Sequence, residues 1–188
     1  KLFDEATAEY EILHKMAPED IQIPEAWGLM ELSRDDRPLP ERRANAIAIW
    51  QRMQQPHRND PRVIIRAAEL IQRTERPDEA LTLYSRAVEL SPQDPQYREY
   101  LGDYLQSLGR TDEAIVAWEA MAERDQRATK NLIRLAEILH AAGIRDKALS
   151  TMLAACELTP EFNDYLKLAR WLREYEQDGR SSKAVDAL

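Results

Sequence analysis

A constant spacing of 34 residues runs through the middle of the chain and constrains its fold more than any other feature. The positions that share this spacing fall into an alanine register, a register of large side chains and a register of small residues: Ala80, Ala114 and Ala148; Tyr84, Trp118 and Met152; Ala68, Gly102 and Ala136. A repeat of this length is typical of stacked two-helix units, none of which buries its apolar face alone. The spacing therefore predicts an all-α array whose function lies on the surface that the array presents.

Three regular units follow this spacing, at residues 61–94, 95–128 and 129–162. Each unit is predicted to form a helix, a short turn, a second helix and a second turn. In the first of them, one stripe of the first helix holds the apolar residues Ile64, Ala67, Ala68 and Ile71. Pro77 stands at the predicted first position of the second helix, where a proline is well tolerated.

The flanking regions keep the registers with interruptions. Residues 1–18 match the second helix of a truncated unit, and residues 19–60 form an irregular extended unit, because Ala6 and Ala46 stand 40 residues apart. Prolines favour residues 21–24 and 35–40 as the place of the six extra residues. Residues 163–188 begin a partial unit that ends inside a predicted helix with Ala184 and Leu188. About eleven helices are expected. Because neither end forms a polar cap, we expect a segment of a longer repeat protein.

The third regular unit carries the most specific motif. It has a leucine next to a small residue, a second leucine, a turn glycine, two alanines and a closing proline: Leu135, Ala136, Leu139, Gly143, Ala148, Ala155 and Pro160. This pattern resembles the tetratricopeptide repeat (TPR), although Met121 and Gln126 stand where the family usually has alanine and proline. The resemblance implies a right-handed superhelical α-solenoid of antiparallel helix pairs. Its first helices would line a concave groove that binds peptides.

The same resemblance implies which side chains face the groove. In the three regular units they are Arg62, Ile65, Arg66, Glu69 and Gln72; Gln96, Glu99, Tyr100, Asp103 and Gln106; and Lys130, Ile133, Arg134, Glu137 and His140. Glu69, Asp103 and Glu137 would form an acidic row with basic groups at its ends. Two interpretations stay open. One is a mixed-charge helix face in solvent, and the other is a groove for an extended or helical segment of matching charge, with Ile65, Tyr100 and Ile133 adding apolar contacts.

Some TPR proteins clamp the C-terminal carboxylate of chaperones with lysine, asparagine and arginine side chains from three first helices. Lys130 and Arg134 match the pair that this clamp has on its third helix. Ile65, Glu69 and Tyr100 stand where it needs a lysine and two asparagines. The acidic side chains at these helices would also repel a carboxylate. The sequence therefore argues against a carboxylate clamp.

Composition narrows the classes of partner. A net charge of −8 disfavours nucleic acid, whose phosphates call for a basic stripe. No apolar run approaches the roughly 18 residues of a membrane span, so we expect no membrane insertion. The expected partner is a protein or a peptide, with self-association through the array ends as an alternative. A soluble, cytoplasmic protein is favoured, although no targeting segment decides the compartment.

No residue pattern predicts catalysis. His14, His57 and His140 are far apart in the array and lack partners at metal-ligand spacing. Cys156, the only cysteine, lies near the end of a predicted helix, away from the cation or helix N-terminus that makes a thiol reactive. We expect no catalytic residue, no metal and no cofactor. The predicted function is a noncatalytic protein-interaction scaffold, and the alternative is a regulatory or docking segment of a larger enzyme.

Overall fold

The computed structural model describes residues 2–123 and 129–177. Within those residues the chain is helical and has no strand, as the repeat predicts. Its ten α-helices are α1 (Leu2–Met16), α2 (Gln22–Ser33), α3 (Leu39–Met53), α4 (Pro61–Ile71), α5 (Pro77–Leu90), α6 (Pro95–Ser107), α7 (Thr111–Glu123), α8 (Thr129–Ala141), α9 (Arg145–Leu158) and α10 (Phe162–Gln177). A short 3-10 helix, Gln72–Thr74, follows α4. The predicted helix with Ala184 and Leu188 lies outside the described residues.

The helices belong to two compact units, Lys1–Tyr97 and Arg98–Leu188. In the first unit α2 packs against α3, and α4 packs against α5. In the second unit α8 packs against α9. The predicted all-α architecture of paired neighbouring helices is therefore confirmed. Helix α5 also starts at Pro77, as the sequence predicts.

A very close contact joins a glycine of one helix to a tryptophan of the next. A Cβ atom placed on Gly102 in α6 would lie 2.2 Å from Nε1 of Trp118 in α7, and Gly28 and Trp50 in α2 and α3 give the same distance. Both indoles are buried, at 1% and 0% exposed. In the pairs α4–α5 and α8–α9, the position of the glycine holds an alanine, and the position of the tryptophan holds a tyrosine or a methionine. Close-packed protein interiors leave no room for overlapping atoms. Tryptophan, the largest side chain found at this position, therefore requires a glycine on the facing helix.

The six extra residues of the irregular unit lie between Gly28 and Trp50. These two residues are 22 positions apart, whereas Gly102 and Trp118 are 16 apart. The connection between α2 and α3 has five residues against three between α6 and α7. Helix α3 also begins eleven residues before Trp50, whereas α7 begins seven residues before Trp118. Pro40 lies in the first turn of α3. The insertion therefore includes residues 35–40, as predicted, and adds one helical turn.

Residues 21–24 hold none of the extra length, so that part of the prediction is wrong. Met16 and Gly28 stand twelve residues apart, and so do Leu90 and Gly102 at the corresponding places. Pro24 is buried in the first turn of α2. The N–H that proline lacks would have no partner at that point of a helix, so this proline does not interrupt α2.

A buried arginine holds the lengthened connection against α1 and α2. Arg34 is 1% exposed, and its guanidinium donates to both carboxylate oxygens of Asp36 at 2.9 Å, to Asp4 at 2.8 Å and to Glu31 at 3.0 Å. Glu31 is also buried and accepts further hydrogen bonds from side chains of α1 and α3. These contacts offset the cost of removing the charges of Arg34 and Glu31 from water.

We expect Gly102→Ala to destabilise the second unit. The added methyl group would displace Trp118, and overpacking of this kind costs about 1–3 kcal/mol, whereas alanine's helix propensity returns only about 1 kcal/mol. Trp118→Tyr should relieve the clash, because tyrosine and alanine occupy these registers together in α4 and α5. Urea unfolding of the wild type, the two single variants and the double variant measures this coupling. Additive losses in the double variant would contradict it.

Arg34→Met should lower the free energy of unfolding of the first unit by about 3–5 kcal/mol, because it leaves the buried carboxylate of Glu31 without its partner. Arg37→Met is the matched control. Arg37 is partly exposed and pairs with Asp4 and Glu41 at the surface, so we expect a loss below about 1 kcal/mol. Denaturant unfolding compares the two variants, and equal losses would argue against the role given to Arg34.

Candidate functional site

An open cleft of about 340 Å³ lies between α6 and α8 in the second unit. Its lining combines charged groups, one indole, one amide and a short apolar strip: Glu99, Asp103, Gln106, Trp118, Arg134, Glu137, Ile138, Ala141 and Ala142. Both helices are the first helices of their repeats. Five of the side chains predicted to face the groove therefore line one cleft: Glu99, Asp103, Gln106, Arg134 and Glu137.

Arg134 and two glutamates form what we call the charged frame of the cleft. The guanidinium of Arg134 donates to both carboxylate oxygens of Glu99 on α6, with Nε 3.2 Å from Oε2. Its Nη1 atom also lies 3.7 Å from Oε2 of Glu137, one turn along α8. Lys167 on α10 donates to the other oxygen of Glu137 at 2.5 Å. Both glutamates of the charged frame are thus already paired with cations.

Asp103 differs from the glutamates beside it. Its Oδ1 atom accepts a hydrogen bond from Nε1 of Trp118 at 3.2 Å, and none of the ion pairs in the described part of the chain includes it. The carboxylate is accessible from the cleft. Surrounding atoms nevertheless exclude enough water to raise the pKa of Asp103, and the charge of Glu99 raises it further, against the opposing effects of Trp118 and Arg134. Asp103 therefore forms no ion pair with a described residue, although the charge of Arg134 acts on it.

Gln106 adds a second acceptor one turn along α6. Its side-chain oxygen Oε1 is buried and receives no hydrogen bond from any described residue. A buried acceptor in this state costs about 1–3 kcal/mol relative to one that is paired. Since Asp103 and Gln106 stand three residues apart, they lie on the same face of α6. The cleft thus presents the carboxylate of Asp103, and a rotation of the Gln106 amide would bring a second acceptor to an N–H group there.

The first unit repeats the charged frame. Arg66 on α4 donates to both carboxylate oxygens of Glu25 on α2, and to Glu69 on its own helix at 2.9 Å. Arg66 follows Glu25 by 41 residues, whereas Arg134 follows its partner on α6 by 35. The difference equals the six extra residues of the irregular unit. The two frames therefore occupy the same positions of the repeat.

Helix α2, which contributes a glutamate to the frame of the first unit, lacks the two acceptors of α6. Leu29 and Leu32 stand at the positions that Asp103 and Gln106 occupy in the second unit. The frame of the first unit therefore has leucines where that of the second has Asp103 and Gln106, although α4 carries Glu69 and Gln72 at the same positions of its own repeat. The sequence shows this difference only after the extra residues have been placed.

The other residues predicted to face the groove lie elsewhere. Ile65 is 5% exposed, because an isoleucine is stabilised by leaving water. Arg62 is exposed and pairs with Asp60 at 2.8 Å. Gln72 accepts a hydrogen bond from Tyr84 at 3.4 Å. Four more residues lie on α6 and α8 but do not line the cleft: Gln96, Tyr100, Lys130 and Ile133.

His140 packs between α8 and α10. Its ring stacks on Trp171 with centroids 4.2 Å apart, and its Nδ1 atom lies 2.5 Å from the hydroxyl of Tyr175. Burial lowers the pKa of His140, partly opposed by the charge of Glu174. These contacts give the ring a packing role. It does not line the cleft.

Two further features of the described residues bear on function. No three histidine, cysteine or acidic side chains among them are grouped to hold a metal ion. None of the helices in the described ranges has the length and apolar character needed to cross a membrane. Cys156 is fully buried, and burial raises the pKa of its thiol, which disfavours the reactive thiolate.

Removal of the charge of Asp103 should change stability little. Asp103→Asn keeps an oxygen to accept from Trp118, so we expect a change within about 1 kcal/mol. Asp103→Leu removes this acceptor and should cost about 1–3 kcal/mol. Thermal unfolding followed by circular dichroism measures both variants. A loss above about 2 kcal/mol in both would show that the carboxylate serves the fold.

Comparison with known proteins identifies the repeat. Residues 66–131 match the tetratricopeptide repeat family, and a search of curated proteins finds no match. The C-terminal part of a TPR repeat-containing protein from Cytophaga hutchinsonii gives a TM-score of 0.56 at 16% identity, over 94% of this chain and 67% of that one. A crystal structure of MamA gives 0.50 at 18% identity, over 83% and 88% of the two chains. A crystal structure of YrrB, a TPR protein with an unusual peptide-binding site, gives 0.49 at 20% identity, over 89% and 84%.

At these identities the structural similarity concerns the fold alone. The family match covers about a third of the chain, from the middle of α4 to the start of α8. One helix pair with a glycine and a tryptophan at these positions, α2 and α3, precedes the match, and one with an alanine and a methionine, α8 and α9, extends beyond it. The chain therefore shares the fold of tetratricopeptide repeat proteins, and its residues 66–131 match the repeat of that family.

Proposed function

We propose that this protein is a noncatalytic scaffold that binds a segment of another protein, or a peptide, along α6 and α8. The cleft between these helices carries the proposal. Its lining includes Asp103, which forms no ion pair with a described residue, and Gln106, whose buried oxygen no described residue satisfies. Ligand sites typically combine such a small number of placed polar groups with apolar walls.

The rest of the cleft is suited to a polypeptide partner. The side chains of the charged frame, Arg134, Glu99 and Glu137, are paired within the protein. They therefore form a polar rim and need no charged group of the ligand to neutralise them. Ile138 and Ala141 offer an apolar strip beside it. A bound segment would contact this strip with side chains and present N–H groups to the acceptors.

Selection of peptides tests the proposal. A phage-displayed library of peptides of about twelve residues, enough to span two first helices, is selected on the immobilised chain, and the affinity of selected peptides is measured by isothermal titration calorimetry. Ala141→Trp fills the cleft from an exposed position on α8. We expect it to weaken binding by about tenfold or more, as occlusion of a central contact does.

Ala48→Trp is the matched control, since Ala48 is exposed on α3 in the first unit. It should leave the affinity within about twofold, well below one hot-spot contact. Circular dichroism verifies that both variants fold. Recovery of no binding peptide would contradict the proposal, and so would equal affinities of the two tryptophan variants.

A further inference from the structure

We propose that the cleft is a subsite for the guanidinium group of an arginine side chain of the bound segment, with Asp103 and Gln106 as its acceptors. The inference rests on the proposed function and names the chemistry that the site recognises. It predicts the opposite preference from a carboxylate clamp, because Asp103 would repel an anion.

The charges of the cleft favour a cation. Glu99 and Glu137 are each paired with a basic side chain of the protein, which leaves the charge of Asp103 uncompensated among the described residues. A carboxylate that has lost part of its hydration is stabilised by a cation more than one in bulk water. A neutral or acidic side chain of the ligand would leave the charge of Asp103 uncompensated.

The two acceptors favour a guanidinium over an ammonium group. Asp103 has a second carboxylate oxygen besides the one that accepts from Trp118. One turn away on the same helix, Gln106 has a side-chain oxygen that no described residue satisfies and that a rotation of its amide would turn toward the ligand. A guanidinium has five N–H donors in a fixed plane, so one group can donate to both side chains. An ammonium is a compact point charge and is less suited to acceptors spread along a helix.

The apolar strip suits the stem of an arginine. Ile138, Ala141 and Ala142 line the same cleft as the acceptors. Long cationic side chains bury their methylene groups on apolar surface while the charged end reaches polar partners. The cleft volume of about 340 Å³ accommodates one arginine side chain.

The first unit provides an internal comparison that separates binding from folding. There, Trp50 donates its indole N–H to the backbone oxygen of Glu25 at 3.4 Å, and Leu29 stands at the position of Asp103. The glycine–tryptophan contact is therefore made without a carboxylate beside it. A backbone oxygen serves as the acceptor of the indole in the first unit, so the contact itself does not require the charge of Asp103.

Nuclear magnetic resonance of the full chain tests the subsite directly. The chain has four tryptophans, and the spectrum of Trp118→Tyr assigns the indole N–H signal of Trp118. N-acetyl-arginine amide should shift this signal in a saturable way, because the guanidinium binds the carboxylate to which the indole donates. N-acetyl-lysine amide should bind about threefold more weakly or worse, and the neutral N-acetyl-citrulline amide should not saturate.

Variants assign the effect to the two acceptors. Asp103→Asn should raise the Kd of the arginine amide about tenfold or more, and Gln106→Leu about threefold. Asp112→Asn is the matched control, because it removes one exposed carboxylate from α7 outside the cleft lining. It should leave the Kd within about twofold, the change expected of a distant screened charge.

Three results would overturn the subsite: no shift of the Trp118 signal, equal binding of the citrulline or lysine amide, or equal effects of Asp103→Asn and Asp112→Asn. The proposed function fails separately. If selected peptides bind and lose affinity in Ala141→Trp while the arginine amide leaves Trp118 unaffected, the scaffold stands and the guanidinium subsite falls. If neither peptides nor the arginine amide bind, both fall.

Discussion

The contact between Gly102 and Trp118 is the constraint on which the candidate site depends. The indole occupies the space that a side chain of α6 would otherwise fill, so its helix and α6 pack closely. At this separation the Nε1 atom of the buried ring reaches Asp103 and donates to it. One aromatic side chain therefore sets the packing of the helix pair and the position of the carboxylate in the cleft.

The two units show that packing and surface chemistry vary separately in this repeat. Both have the glycine–tryptophan contact, and both have a charged frame, built around Arg66 in the first unit and Arg134 in the second. These shared features are explained by the association of neighbouring helices. Beside these frames, Asp103 and Gln106 of the second unit stand where the first unit has Leu29 and Leu32. That difference is the physical basis for locating a ligand at α6 and α8.

The 34-residue spacing predicts the helices and their pairing because small and large side chains must alternate at each contact, and this alternation is visible in the sequence. It also places Glu99, Asp103 and Arg134 near one another. The spacing cannot predict the burial of Ile65. A periodic pattern identifies the apolar face of a helix but not how much of the neighbouring surface the next helix covers. The network of Arg34 is equally hidden, because its partners meet only after a five-residue connection has folded.

The central claim is that no side chain among the described residues forms an ion pair with Asp103. Its carboxyl pKa, measured by a carbon-detected NMR titration of the full chain, tests this most directly. Lost hydration without a counter-ion should hold that pKa above the ordinary range of an aspartate, and N-acetyl-arginine amide should lower it. A pKa at or below the ordinary range in the free protein would mean that a cation already pairs with Asp103, and would contradict the account.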